Sequence, residues 1–141
     1  MATKVVQDLW ILEESGIVVF SRVFNPKVNE QLFGALMTAL NTFASELASG
    51  GLTSFELSEM RFTLLKTTYN SQRYLFVCNS SKKVNTKKVM DEILLIKDKF
   101  FEIYGKKLEK WDGDVNIFTD FETQIEDSLE ETIKKFQKAF W

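Results

Sequence analysis

The chain predicts an α+β domain whose antiparallel sheet is covered by helices on both faces, and three observations carry that expectation. The segments run in the order of two strands joined by a tight turn, a long helix, three strands and two helices. Both arms of the first hairpin carry apolar residues at consecutive positions, as strands covered on both sides do. The three later strands are separated by hairpin-sized breaks, so they pair antiparallel as a meander. At 141 residues the chain is the size of one domain, able to bury roughly two thirds of its unfolded surface. Residues 1–141 are read as a single domain.

Residues 5–12 open the fold as a strand, because Val5 and Val6 are β-branched and the run is short. Glu14, Ser15 and Gly16 supply a turn, and residues 17–24 form the second arm until Asn25 and Pro26 end it. A helix follows over residues 29–49. Leu32, Leu36, Leu40, Phe43 and Leu47 recur on it at steps of three and four, with Phe33, Met37 and Ala44 widening the stripe. That stripe is wide enough to cover a sheet face and leave an apolar flank. Gly50 and Gly51 are expected to close the helix with a left-handed cap.

The meander comprises residues 53–57, 61–69 and 73–78, and polar-apolar alternation in the first marks it as a half-solvated edge strand. A core helix over residues 85–104 carries Val89, Ile93, Ile96, Phe100 and Ile103, with Met90, Leu94 and Phe101 alongside; Gly105 is expected to stop it. A polar loop through Asp112, Gly113 and Asp114 leads to an extended segment at 115–118. The last helix is expected over 121–140, with Phe121, Ile125, Leu129, Ile133, Phe136 and Phe140 on one stripe. Its acids come early and Lys134, Lys135 and Lys138 late, in agreement with the helix dipole.

Composition excludes several functions. With 45% hydrophobic and 27% charged residues and one proline, the chain is a folded globular one. A net charge of -2 argues against a broad phosphate-neutralising face, so no nucleic-acid partner is expected. The single cysteine, Cys78, has no internal disulfide partner and lies in an apolar run. No stretch is long and apolar enough to span a bilayer and the amino terminus lacks a signal block, so a cytoplasmic protein is expected, at most peripheral at membranes. There is no histidine, hence neither the commonest general base nor the commonest metal ligand. Gly50 and Gly51 lack the Lys-Ser/Thr of a phosphate loop. Asp112, Asp114 and Asp120 lack the spacing of a calcium loop and read as a solvated loop. No catalytic residue, metal or cofactor is expected.

Three passages carry a family resemblance over residues 8–129. They are Ser54-Phe55-Glu56-Leu57 with Phe62-Thr63-Leu64-Leu65 and Tyr74-Leu75-Phe76-Val77-Cys78; Phe100-Phe101-Glu102-Ile103-Tyr104-Gly105; and Val115-Asn116-Ile117-Phe118-Thr119-Asp120-Phe121-Glu122. In their order and spacing the chain resembles a longin-like domain, the profilin-like fold of trafficking proteins, closest to the small, sigma-type subunits of clathrin-adaptor complexes. The resemblance implies a five-stranded antiparallel sheet in the order 2-1-5-4-3, with one helix on one face and two on the other. It implies a non-enzymatic interaction scaffold in membrane trafficking or small-GTPase regulation. The second reading is a profilin-like or roadblock-like GTPase regulator or a peripheral membrane tether. A small GTPase, a larger adaptor or longin subunit, or a second copy in a homodimer would be its partner. The positions that match the family's dileucine pocket are Gln72, Tyr74, Lys97 and Lys107, mostly polar, so cargo recognition is not carried over. Longin SNAREs continue into a coiled coil and anchor, whereas this sequence ends at Trp141, so no SNARE role is expected.

Two surfaces remain as candidate sites. Lys82, Lys83, Lys87 and Lys88 stand at the start of the second long helix, where positive charge opposes the dipole; they suit an anionic partner, lipid head groups or an acidic protein face, unless they are simply a solvated basic loop. Phe33, Met37, Phe55 and Leu57 mark a partner groove between the first long helix and the edge strand, although Phe33 and Leu57 also fit an ordinary core. The acids Asp120, Glu122, Glu126, Asp127, Glu130 and Glu131 cap the last helix or pair with a basic patch on a second copy, and Phe136, Phe140 and Trp141 are expected against the sheet. An apolar flank on so small a domain points to a missing neighbour.

Overall fold

The computed structural model describes residues 6–23, 27–123 and 125. The elements follow one another as β1 (Asp8–Glu13), β2 (Val18–Arg22), α1 (Glu30–Leu47), β3 (Ser54–Glu56), β4 (Met60–Tyr69), β5 (Gln72–Ser81), α2 (Thr86–Glu109) and a 3-10 turn (Val115–Phe118). The five strands form one sheet in the order β2-β1-β5-β4-β3, every neighbouring pair antiparallel. This is the order the resemblance implies.

Period-two alternation along β5 sorts the core into two layers. Tyr74, Phe76 and Cys78 join α2's Val89, Ile93, Ile96, Phe100 and Tyr104 on one face. Leu75 and Val77 point the other way, into a smaller cluster with Trp10, Leu12, Phe62, Leu64 and α1's Met37. Residues 121–123 are helical on the α2 side, and Phe121 meets Phe20, Phe100 and Tyr104 with ring centroids 5.2–5.8 Å apart. Apart from that start, the helix expected over 121–140 lies outside the described residues, as do Phe136, Phe140 and Trp141.

The hairpins are set by backbone chemistry. Asn70 and Ser71 both have positive φ, 50° and 66°, the pattern of a two-residue type I′ turn whose twist matches the strands it joins. It fixes the register from Tyr69↔Gln72 to Met60↔Ser81. At the first hairpin Gly16 takes φ 98° and its N–H donates to the Glu13 carbonyl at 2.9 Å, a geometry that favours glycine.

Four expectations are corrected. The segment at Val115–Phe118 is a 3-10 turn, not extended, because the Asp114 carboxylate accepts from the Asn116 N–H at 3.0 Å and caps it. Gly105 does not stop α2, which runs to Glu109; a Cβ there would collide with the Tyr69 ring, so the glycine serves close approach. Nor does α1 end in a left-handed glycine: Ala48 is extended, and Gly51, at φ 64°, turns the chain with its N–H on the Ala48 carbonyl. Finally, the leucine stripe of α1 does not cover the sheet. Leu32, Leu36, Leu40, Phe43 and Leu47 are exposed, and Gly34 and Met37 are the residues α1 buries.

The reason lies at the hairpin. The sheet face under α1 is already filled by Trp10, Leu12, Phe62 and Leu75, with room for Met37, so the helix comes closest to the hairpin where its own side chain vanishes. A Cβ on Gly34 would stand 2.5 Å from the Gly16 carbonyl oxygen and 2.6 Å from Val18 Cγ2. Beside it, the Gln31 amide accepts from the Val18 N–H at 3.0 Å and donates to the Val18 carbonyl at 3.1 Å. Asn29 caps the helix, accepting from the N–H groups of Gln31 and Leu32.

Gly34→Ala should therefore lower the unfolding free energy by about 1–3 kcal/mol in urea melts, despite a helix-propensity gain of about 1 kcal/mol, while Gly50→Ala, with no atom within 4 Å of the new Cβ, leaves stability nearly unchanged. Ser71→Gly should raise stability by about 1 kcal/mol, the strain of a left-handed non-glycine residue, seen as a higher urea midpoint at constant slope.

Candidate interaction surfaces

The four lysines are all exposed at the entry to α2. Asn85 caps the helix, its side chain accepting from the Lys87 N–H at 2.8 Å, and no acid stands in the first turn. The patch is tethered to the edge strand. Lys82 Nζ lies 3.2 Å from Glu56 Oε2, and Arg61 Nε 3.1 Å from Glu56 Oε1. The Arg61 guanidinium also donates to the carbonyls of Val84 and Lys82 at 3.3 Å each. It thus locks the loop before α2 onto β3 and β4, a role for which its planar fork is suited. Lys82 and then Arg61 hold the Glu56 carboxyl below its usual range. Among the described residues, Lys83, Lys87 and Lys88 make no ion pair.

The groove expected between α1 and β3 is filled. Met37 is buried, Phe33 stacks on Trp10 at 4.2 Å, and Phe55 lies parallel to Phe62 at 4.7 Å. Phe33 and Phe62, 6.1 Å apart, join the two stacks into one aromatic row. Leu57 does not join them; it is half exposed at the end of β3. An open cleft instead lies on α1's other flank, about 680 Å³ in volume, where Thr38, Asn41 and Ser45 face Glu13, Lys66 and Arg73. The Lys66 ammonium is bonded to the Gly50 carbonyl, and partial burial lowers its pKa.

Among the described residues, the candidate chemical groups are engaged elsewhere. Cys78 is fully buried, and burial pushes its thiol far above the usual range, so the reactive thiolate is suppressed. Asp112 and Asp114 are spent on turns, each accepting a backbone N–H two residues on at 3.0 Å. The described residues hold no group of three His, Cys, Asp or Glu side chains able to share a metal, and no described helix is long and apolar enough to cross a membrane. At the positions matching the dileucine pocket, Gln72 is exposed, Tyr74 is buried, Lys97 pairs with Asp98 at 2.9 Å and Lys107 lies 5.6 Å from the centre of the Tyr104 ring.

The surface that residue patterns pointed inward is the outer face of α1. Its signal was present: residues 31–45 contain no Asp, Glu, Lys or Arg, although a solvated helix face ordinarily carries charge.

No protein-family model and no curated protein matches the sequence. Solved structures do. The chain is similar to MglB of Myxococcus xanthus, with a TM-score of 0.56 at 14% identity over 72% of this chain and 78% of that one. The gliding protein MglB from Thermus thermophilus gives 0.49 at 13% identity, over 60% of this chain and 67% of that one. MglB in a tetrameric arrangement gives 0.43 at 14% identity, again over 60% of this chain and 67% of that one. The first of these supports a longin-like fold of the roadblock kind. It lends nothing to a particular closeness to adaptor small subunits.

If Lys82 and Arg61 hold Glu56 ionised, Lys82→Ala should move its carboxyl titration upward towards the ordinary value of 4.5, followed by carboxyl NMR. Because the folded value is the depressed one, the tether is present above the unfolded pKa and is lost as pH falls through the folded value.

Proposed function

We propose that the chain is a non-enzymatic interaction domain that binds a small GTPase within a regulatory scaffold. The observation that carries this reading is the architecture: five antiparallel strands in the order β2-β1-β5-β4-β3 with α1 and α2 on opposite faces, the fold shared with MglB. Its surface chemistry fits the reading, since the thiol is inert, the loop aspartates are engaged in turns, and what remains exposed is suited to contact. Lys83, Lys87 and Lys88 offer an acidic partner a basic contact beside a helix N-terminus. A place in vesicle trafficking as an adaptor subunit has no support in the comparisons, and the polar Gln72, Lys97 and Lys107 speak against a dileucine site.

The test is capture on the tagged protein from an extract of its own source, loaded with a GTP analogue or with GDP and read by mass spectrometry. Recovery of a small GTPase in one nucleotide state and not the other is expected. Recovery of large coat-type subunits irrespective of nucleotide would replace this reading with that of an adaptor chain.

A further inference from the structure

We propose that the cleft between the second half of α1 and the sheet is a binding site for the phosphate monoester of a small polyol, the phosphate held by Arg73 and Lys66 and the body by the hydroxyls and amide around them. This does not rest on the GTPase reading. The face that α1 turns to the sheet at Gly34 and Met37 continues, at steps of three and four, through Thr38, Asn41 and Ser45. Opposite them, β4 and β5 present Lys66, Thr68 and Arg73. The register pairs Lys66 with Leu75, which packs on the α1 side, and two residues further on it pairs Thr68 with Arg73. A helix and a sheet that face each other ordinarily close over apolar side chains. Here both sides are polar, and about 680 Å³ stays open between them, within the range of small-molecule sites.

The unspent hydrogen-bonding capacity of the cleft is on the donor side. The Lys66 ammonium gives one of its three N–H groups to the Gly50 carbonyl. The Asn41 side-chain oxygen accepts from the Leu52 N–H at 3.2 Å, and Ser45 Oγ donates to the Asn41 backbone carbonyl at 2.8 Å. Left over among the described residues are the rest of the ammonium, the Asn41 amide N–H groups and the whole Arg73 guanidinium, all of which need acceptors. Of the two acids at the border, Glu13 pairs with Tyr74 across the strands, and its carboxylate accepts from the Ser15 N–H at 2.7 Å. Glu14 stands in the turn after β1. Neither acid occupies the strand positions that form the floor.

These partners fit an oxyanion. Arg73 and Lys66 are diagonal neighbours on adjacent antiparallel strands, a spacing at which two long side chains reach one group, and the guanidinium fork matches two oxygens of a phosphate. A phosphate monoester, nearly doubly charged and with three terminal oxygens, answers both cations; a carboxylate would answer one. A Cβ on Gly51 would stand 2.5 Å from Lys66 Nζ and 2.7 Å from both Asn41 Oδ1 and Ser45 Oγ, so the glycine is what gives the ammonium its place at this end of the cleft. The hydroxyls of Thr38, Ser45 and Thr68 suit a body that carries hydroxyls of its own. Tyr74, the one aromatic residue at the cleft, is buried on the α2 face, so a nucleobase would find no ring to stack on.

Titration of the isotope-labelled full chain with glucose 6-phosphate, followed by amide NMR, tests the site. Shifts at Asn41, Ser45, Lys66, Thr68 and Arg73 are expected, with a dissociation constant of about 1 mM or tighter, and glucose alone should cause none. Arg73→Gln should raise the dissociation constant at least about 10-fold, the worth of one charged hydrogen bond. Its urea midpoint should not move, because Arg73 is exposed and makes no ion pair among the described residues. Vesicles containing phosphatidylinositol 4-phosphate separate the two sources of such a group. Sedimentation of the wild type with them, but not of Arg73→Gln, would place a lipid head group in the cleft, whereas soluble binding without sedimentation would assign a free metabolite. Absence of both would overturn the proposal. So would shifts confined to Lys82, Lys83, Lys87 and Lys88, an equal response to glucose, or an Arg73→Gln chain that binds like the wild type.

Discussion

Every layer of this domain is anchored on β5. It is hydrogen-bonded to β1 along one side and β4 along the other, and it is buried from Tyr74 to Ser80. A strand in that position has no solvent-facing side, so its alternation divides the core instead of separating inside from outside. Tyr74, Phe76 and Cys78 are committed to α2, and Leu75 and Val77 to α1. A one-residue slip would exchange the two sets. The two-residue turn at Asn70 and Ser71 and the ten-pair ladder to β4 hold that register.

The two layers so defined are unequal. Beneath α2, Phe100 is fully buried, with the rings of Phe76, Phe101, Tyr104, Phe118 and Phe121 within 6 Å of its own. Such ring pairs add about 0.5–1.5 kcal/mol each beyond the area they bury. Beneath α1 the cover is thin, held by Met37, the Phe33–Trp10 stack and the Gln31 amide on Val18. The α2 face thus supplies the domain's cohesion. On this face α1 turns Phe33 and Met37 inward and leaves Leu32, Leu36, Leu40, Phe43 and Leu47 exposed.

The strands were legible because their signals are local: consecutive apolar residues bounded by Gly16 at one hairpin and by Asn70 and Ser71 at another. Their order was legible only through the family resemblance, since pairing partners are not encoded in any one segment. The side of α1 that meets the sheet was not legible, because hydrophobic periodicity reports where a stripe lies on a helix and not what the stripe meets. Ranking by apolarity favours Leu36 over Gly34, whereas close approach to the Gly16 carbonyl reverses the ranking. Gly105 misled for the same reason, being read as a stop where it makes room for the Tyr69 ring. Of the candidate sites, the exposure of the four lysines followed from their position at a helix start. The salt bridge from Lys82 to Glu56 did not, because it joins residues that only the sheet brings together, and the aromatic row that fills the expected groove depends on Trp10, distant in sequence from Phe33 and Phe55.

The Gln31 amide has a consequence for the sheet as a whole. By accepting from the N–H of Val18 and donating to its carbonyl, it stands where the next strand would add and blunts the β2 end of the sheet. The β3 end has a strand on one side only among the described residues. A sheet with two open ends is a link in a chain and invites fibre growth; one with a single open end can be joined once and then has nothing left to offer. One glutamine side chain thereby occupies, at Val18, backbone groups that an added strand at the β2 end would need.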